Sequence, residues 1–135
     1  MDITFGGKEL DRRQQNILDS LPEFGDRITV KKRCVSMIDL SALTAKTGDE
    51  FAMFTHKGKR IIVRGDTKQV PLREKDIIKL HNEGYRWSGH THVGYTEADL
   101  IASQGDKDTL ILFQQDNSVI YNALGRCRLI YPKEG

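Results

Sequence analysis

The sequence predicts an α/β (α+β) fold: a single domain in which a small, mostly antiparallel, curved sheet is flanked by helices. Three observations predict it. The length of 135 residues suits one hydrophobic core, and no linker, internal repeat or low-complexity tract divides the chain. Short strand-like runs alternate with segments whose apolar residues recur at helical spacing. Two compact turn signals, His56-Lys57-Gly58 and Asn122-Ala123-Leu124-Gly125, each join neighbouring strand-like runs as a hairpin.

The elements follow in order. Residues 9–21 place Leu10, Ile17, Leu18 and Leu21 in a polar setting and stop at Pro22, which predicts a short helix with a thin apolar stripe. Residues 28–35 form a strand candidate with a basic middle. Asp39 then caps a short helix through Leu40, Leu43 and Ala45 that ends at Gly48. The runs 51–54 and 59–64 make a strand hairpin closed by Gly65-Asp66. Residues 74–83 carry Ile77, Ile78, Leu80 and His81 at helical spacing, with Gly84 as the stop. Residues 85–92 read as a strand entering the interior. Thr96-Glu97-Ala98-Asp99 and Ser103-Gln104-Gly105-Asp106 are two helix starts, each an N-cap residue with an acid three positions on. The second leads into a helix through Gln115, with Leu110, Ile111 and Phe113 on its apolar side. Runs 118–121 and 126–131 close the chain as a terminal hairpin.

Composition excludes several classes. A hydrophobic share of 38% is too high for a disordered chain, and the length is too short for a barrel enzyme of roughly 250 residues. The 21 Lys and Arg against 19 Asp and Glu leave a net charge of +2, so there is no strong nucleic-acid signal, and Lys31-Lys32-Arg33 alone is too small for a phosphate-binding stripe. The start Met1-Asp2-Ile3-Thr4-Phe5 lacks the basic and apolar regions of a signal peptide, and no apolar run approaches a membrane span, so a cytoplasmic, membrane-free protein is expected. Cys34 and Cys127 lie far apart and are expected to be buried free thiols rather than a disulfide or a thiolate metal site.

The chemistry-bearing residues centre on His90-Thr91-His92. Residues i and i+2 of a strand share a face, so both imidazoles can converge on one ion, and neutral imidazole is a preferred ligand of Zn²⁺. Asp106 is the best local third ligand. In a helix beginning near Ser103, Asp106, Leu110 and Phe113 fall at i, i+4 and i+7, which turns the carboxylate toward the apolar side, where a cation would offset its burial. The same spacing also suits a capping box on a solvated helix end, and Asp99 is a rival ligand nearer to His92. Two His and one Asp leave a fourth position for water, whose proton needs a carboxylate base outside the ligand set. Glu50, which opens the strand 51–54, can stand at the sheet edge in that role. Trp87 and Tyr85 are expected to pack around the histidine strand, His81 to be partly buried on its helix, and His56 to sit in the hairpin turn.

Together, Glu50, His90-Thr91-His92 and Ser103-Gln104-Gly105-Asp106 resemble the JAMM/MPN metalloprotease family: a glutamate on an early strand, H-[ST]-H at a strand end and S-x-x-D opening a helix. The stretch from Arg86 to His92, with Gly105-Asp106-Lys107 and Ser118-Val119-Ile120-Tyr121-Asn122, is similar to the prokaryotic branch found in phage and polymorphic-toxin contexts. The resemblance runs from Glu50 to Tyr131. It implies a JAMM/MPN-like core over residues 49–132, with residues 1–48 as a helix-and-strand segment packed on the same domain. It further implies Zn²⁺ held by His90, His92 and Asp106, Glu50 as general base and acid, and Ser103 as a hydrogen-bond donor to the oxyanion. The implied activity is that of a zinc-dependent peptidase or isopeptidase, its substrate a polypeptide such as a ubiquitin-like tail, a peptidoglycan peptide or a phage or toxin polypeptide. Two departures stand out: Val93 replaces the proline that usually follows the second histidine, and S-x-x-D lies about three residues further on, with 94–98 as the segment that absorbs the shift.

Three other readings are open. A cupin has a similar first metal motif, here Gly84, His90, His92, Glu97 and Gly105, but needs a later histidine that this sequence lacks. A non-catalytic MPN-type scaffold keeps the fold without the chemistry. A toxin nuclease has little support from the near-neutral charge.

Overall fold

Capping chemistry sets the helix boundaries in a computed structural model that describes residues 5–133. Asp11 accepts from the Gln14 amide and Gln14 reaches back to the Asp11 N–H, so helix α1 spans Arg12–Asp19 rather than the longer 9–21. Helix α2, Met37–Thr47, starts from Ser36, not from Asp39. Asp39 is instead the third residue of the helix, where its carboxylate accepts from the Ser36 N–H at 2.8 Å and from both terminal nitrogens of Arg13 at 2.6 and 2.8 Å. Burial opposes ionisation of Asp39, but the bonds from Arg13, Gln14 and Ser36 outweigh it and hold its pKa below the usual carboxylate range. Gly48, at φ 76°, ends α2 as expected.

Helices α3, Glu74–Asn82, and α4, Gln104–Leu112, end in the same way by different residues. After α3 the left-handed position is Gly84, at φ 92°. After α4 it is Gln114, at φ 56°, with the Gln115 N–H on the Leu110 carbonyl and the Gln114 N–H on that of Ile111. The helix therefore stops at Leu112, short of the predicted Gln115.

The strands are β1 (Arg27–Lys31), β2 (Phe51–His56), β3 (Lys59–Arg64), β4 (Arg86–Thr91), β5 (Ser118–Tyr121) and β6 (Cys127–Ile130). They form one open six-stranded sheet in the order β1-β3-β2-β4-β5-β6, antiparallel except where β4 runs parallel to β5. The α+β class expected from the sequence is the one observed. Strand β1 stops at Lys31, and Lys32–Cys34 turns into a short 3₁₀ helix instead of extending the strand. Thr96 likewise opens only a 3₁₀ turn, Glu97–Leu100.

Alternation along β2 separates two cores. Phe51 and Met53 pack with Ile17, Leu21, Leu40 and Leu43 beneath α1 and α2. Ala52 and Phe54 pack with Ile77, Leu80, Leu110 and Phe113 beneath α3 and α4. Each fully buried side chain of this size contributes roughly 1.5–3 kcal/mol. Helices α1 and α2 thus share a core with β2 and β3. Cys34 is half-buried and Cys127 exposed, so the expectation of two buried thiols does not hold. Strand β6 lies at the sheet edge, which is why alternation cannot hide Cys127. Among the described residues no helix is long and apolar enough to cross a membrane.

Thr91 fastens β4 to both neighbours. It is 0% exposed; its hydroxyl lies 2.6 Å from that of Thr44 on α2 and accepts from the Phe51 N–H at 2.9 Å. Thr91→Val keeps the shape and removes the oxygen, leaving the Phe51 N–H and the Thr44 hydroxyl short of a partner. A loss of about 1–3 kcal/mol in urea unfolding is expected, with Thr91→Ser recovering most of it.

Candidate metal centre

A parallel strand pair needs a crossover, and the segment between β4 and β5 carries α4 across one face of the sheet. Such a crossover returns the helix N-terminus to the carboxyl ends of the strands. Asp106, in the first turn of α4, is thereby delivered to the end of β4, where His90 and His92 project. His92 lies just past the strand but stays in register through its N–H on the Tyr121 carbonyl, at 2.9 Å.

Three ligand groups meet there. His90 Nε2 is 2.9 Å from Asp106 Oδ1, His92 Nε2 is 3.1 Å from Asp106 Oδ2, and the two Nε2 atoms are 3.0 Å apart. Metal–nitrogen bonds of about 2.0–2.1 Å at tetrahedral angles set neighbouring ligand atoms roughly 3.3 Å apart, so the spacing is that of a tripod around a small ion. His92 Nδ1 donates to the Asp99 carbonyl at 2.8 Å, which leaves the Nε2 lone pair of the neutral ring turned into the tripod. Two imidazole nitrogens and two carboxylate oxygens converge, and the residues present fit a divalent metal.

Glu50 completes the cluster from β2. Ala52 pairs with His90 in an antiparallel register, so Glu50 stands across from His92 on the same face. Its backbone continues the ladder through bonds with Asp66 and Gly65, at 2.8 and 2.7 Å. Ligand atoms of Glu50, His90 and His92 lie within 4.8 Å of one another, which makes Glu50 a second possible ligand. Asp106 is the better one, because it touches both imidazoles whereas no hydrogen bond joins Glu50 to either.

Ser103 caps α4. Its Oγ accepts from the Asp106 N–H at 3.1 Å and its own N–H donates to Asp106 Oδ2 at 3.0 Å, so the capping box and the ligand set are one structure. The hydroxyl proton remains available on the rim of a cleft of about 330 Å³, whose walls include Glu50, Trp87, Gln69 and Val70. All five residues singled out in the sequence, Glu50, His90, His92, Ser103 and Asp106, line that cleft.

The loop after His92 absorbs the lengthened spacing. The Ala123 N–H holds the Gly94 carbonyl at 2.8 Å and Asn122 Nδ2 holds that of Thr96 at 3.1 Å, which sets the Asp99 carbonyl on His92. The Asp99 carboxylate is no ligand here; it closes the Thr96 turn through the Thr96 N–H and hydroxyl, at 3.0 and 2.7 Å. Gly94 has φ 134°, and a Cβ there would come within 2.2 Å of that carboxylate. Glu97, the cupin-type acid, points away to Arg126 and Arg128.

Trp87 is closer to the site than alternation suggests. The β2–β4 register shifts between Met53 and Phe54, so Gly89 pairs with Met53, Trp87 with Phe54, and Ser88 is the extra residue of a bulge. Trp87 is thereby brought to the face of His90, and the two rings stack with centroids 4.8 Å apart.

The electrostatics follow from burial. Desolvation raises Glu50 to about 8, with Asp106 and Asp66 adding to the rise and His92 opposing it. Desolvation also acts to raise Asp106, but bonds from His90 and His92 and the Ser103 N–H hold it far below the usual range. Burial lowers His90 despite Asp106. For His92 burial lowers and Asp106, Glu50 and the Asp99 carbonyl together raise, and the raise wins.

No family model matches the chain, and no curated protein or solved structure matches it.

A test of the buried acid uses the chain stripped of metal by EDTA. Unfolded Glu ionises near pH 4.3 whereas folded Glu50 holds its proton to about 8, so the wild type loses stability as pH rises between those values. Glu50→Gln removes the titration. It is expected to melt above the wild type at pH 8, with the gap closing toward pH 4; a gap independent of pH would contradict the burial argument.

Proposed function

We propose that the chain is a zinc-dependent peptidase or isopeptidase with a JAMM/MPN-like site. The observation that carries this reading is the His90, His92 and Asp106 tripod, with a buried carboxyl, Glu50, beside it but outside it. Bound by these three groups, zinc supplies Lewis acidity, polarising a carbonyl and lowering the pKa of a water.

The chain's own residues supply the rest. Glu50 takes the proton of the attacking water and hands it to the leaving amine, and its position across from His92 puts both transfers on the cleft side of the sheet. Ser103 donates its free hydroxyl proton to the oxygen on which charge develops, because its Oγ is already oriented by the Asp106 N–H. The Asp99 carbonyl keeps His92 in the tautomer a ligand needs. Trp87 walls off water beside His90, which strengthens these interactions. The substrate is a polypeptide chain with its scissile bond laid along the cleft, and the protein acts without a membrane. The order Glu, H-x-H, S-x-x-D and the convergence of all five side chains support this reading over a cupin, whose jelly roll differs from one open sheet with helices on both faces.

Metal analysis of the purified protein is expected to find one zinc per chain, lost in Asp106→Ala and kept in Glu50→Gln. On any peptide or isopeptide that the wild type cleaves, Glu50→Gln should lose at least about 10²-fold in kcat. Full turnover in Glu50→Gln, or full zinc in Asp106→Ala, would refute the assignment.

A further inference from the structure

The charge of the chain is divided. Seven of its 21 basic residues, Lys31, Lys32, Arg33, Lys57, Lys59, Arg60 and Arg86, gather at the β2–β3 turn. The turn is at the end of β2 away from Glu50, so the basic end and the candidate metal centre lie at opposite ends of that strand. Two adjoining grooves, of about 520 and 740 Å³, share Lys32 and Arg60, and no acidic residue lines either.

Two features show that this arrangement is held against local cost. Lys31 and Lys59 are direct cross-strand partners, and like charges in that position destabilise a sheet. Lys57 occupies the left-handed region at φ 53°, where a residue with a Cβ is strained by roughly 1–2 kcal/mol and Gly or Asn is the ordinary choice. Apart from Arg60, which donates to the Thr55 hydroxyl and to the Lys32 and Val35 carbonyls, these cations make no ion pair or hydrogen bond through their side chains among the described residues.

We infer that the hairpin end of the sheet binds the sugar-phosphate backbone of a nucleic acid. Duplex DNA presents one negative charge per about 1.7 Å of its axis, and an extended acidic peptide at most one per about 3.3 Å. The denser polyanion offsets crowded cations better. Most of the free charges are lysine ammoniums, which serve as point charges for phosphate, and Asn117 on the groove wall supplies a neutral polar group of the kind that holds backbone oxygens. Contacts to phosphate carry no sequence information, so the groove, whose aromatic side chains are His56 and the mostly buried Trp87, should bind without sequence preference.

The test is fluorescence anisotropy with a labelled 20-base-pair DNA duplex of mixed sequence. Wild type is expected to bind at about 50 mM salt and to weaken steeply as salt rises. A combined Lys57→Asn, Lys59→Gln, Arg86→Gln variant should bind at least tenfold more weakly, with a salt slope shallower by about 3. Neutralising Arg12, Lys75 and Lys79 instead should leave affinity within twofold. Lys57→Asn alone should weaken binding while raising the melting temperature, because it relieves the turn; this separates lost contacts from lost folding. The inference is overturned if wild type does not bind, if both triple variants lose affinity equally, or if polyglutamate or phosphatidylserine vesicles displace the DNA at equal charge concentration. Zinc content is independent of all these outcomes.

Discussion

One carboxylate joins the helix, the strand and the candidate site. Asp106 Oδ2 accepts from the Ser103 N–H and faces His92 Nε2, while Oδ1 faces His90 Nε2. The start of α4 and the closure of the tripod are therefore the same event. A cation bound there would stabilise the helix end as well as the imidazoles, since whatever binds only the folded arrangement adds its binding free energy to folding. The two imidazoles, joined by the Ser103 N–H at the third residue of the helix, keep the acid ionised at a depth where an isolated carboxylate would take up a proton.

Strand β4 must then be held from behind. Thr91, between the two histidines, faces α2 and ties its hydroxyl to Thr44 and to the Phe51 amide. Gly89 permits the approach, because a Cβ there would fall within 3.0 Å of Val119 and Met37. Beyond the short β4–β5 ladder, Gln115 acts as a substitute strand: its amide accepts from the Trp87 N–H at 2.6 Å and donates to the Trp87 carbonyl at 3.0 Å. The histidines thus project from a strand whose position is set on both faces and both edges.

How much of this could be read from the sequence depended on whether the signal was local. The hairpin turns, the Gly48 and Gly84 stops and the H-x-H pair are local and legible. So is the antiparallel class, because each hairpin sets its own pairing. The end of α4 was not, because a glutamine fills the left-handed position usually held by glycine. The start of α2 was misplaced although its signal is local: Ser36 and Asp39 are the N-cap and third residue of one capping box, the spacing of Ser103 and Asp106, and Arg13 adds to the hold on Asp39. The Ser88 bulge carries no sequence mark, yet it alone moves Trp87 to the histidine face. Net charge says nothing of placement, since a sum near zero is compatible with seven cations that strand register draws to one end.

Imperfectly satisfied polar chemistry is concentrated in one place. Among the described residues the two buried side-chain polar atoms without a hydrogen-bond partner are Trp87 Nε1 and His90 Nδ1, on rings that stack against each other. Glu50, 8% exposed and unpaired by any cation, stands a few ångströms from His90. Elsewhere buried polar groups are matched: Thr44 with Thr91, Ser41 with the Asn122 carbonyl, Gln115 with Trp87 and Asn117. A chain that satisfies such groups across two cores and leaves two unsatisfied beside one cleft, with a buried carboxyl next to them, has accepted a loss of stability there. Packing alone would favour apolar replacements at these positions. The arrangement is intelligible if the cleft is built for a cation and a reacting group rather than for the fold.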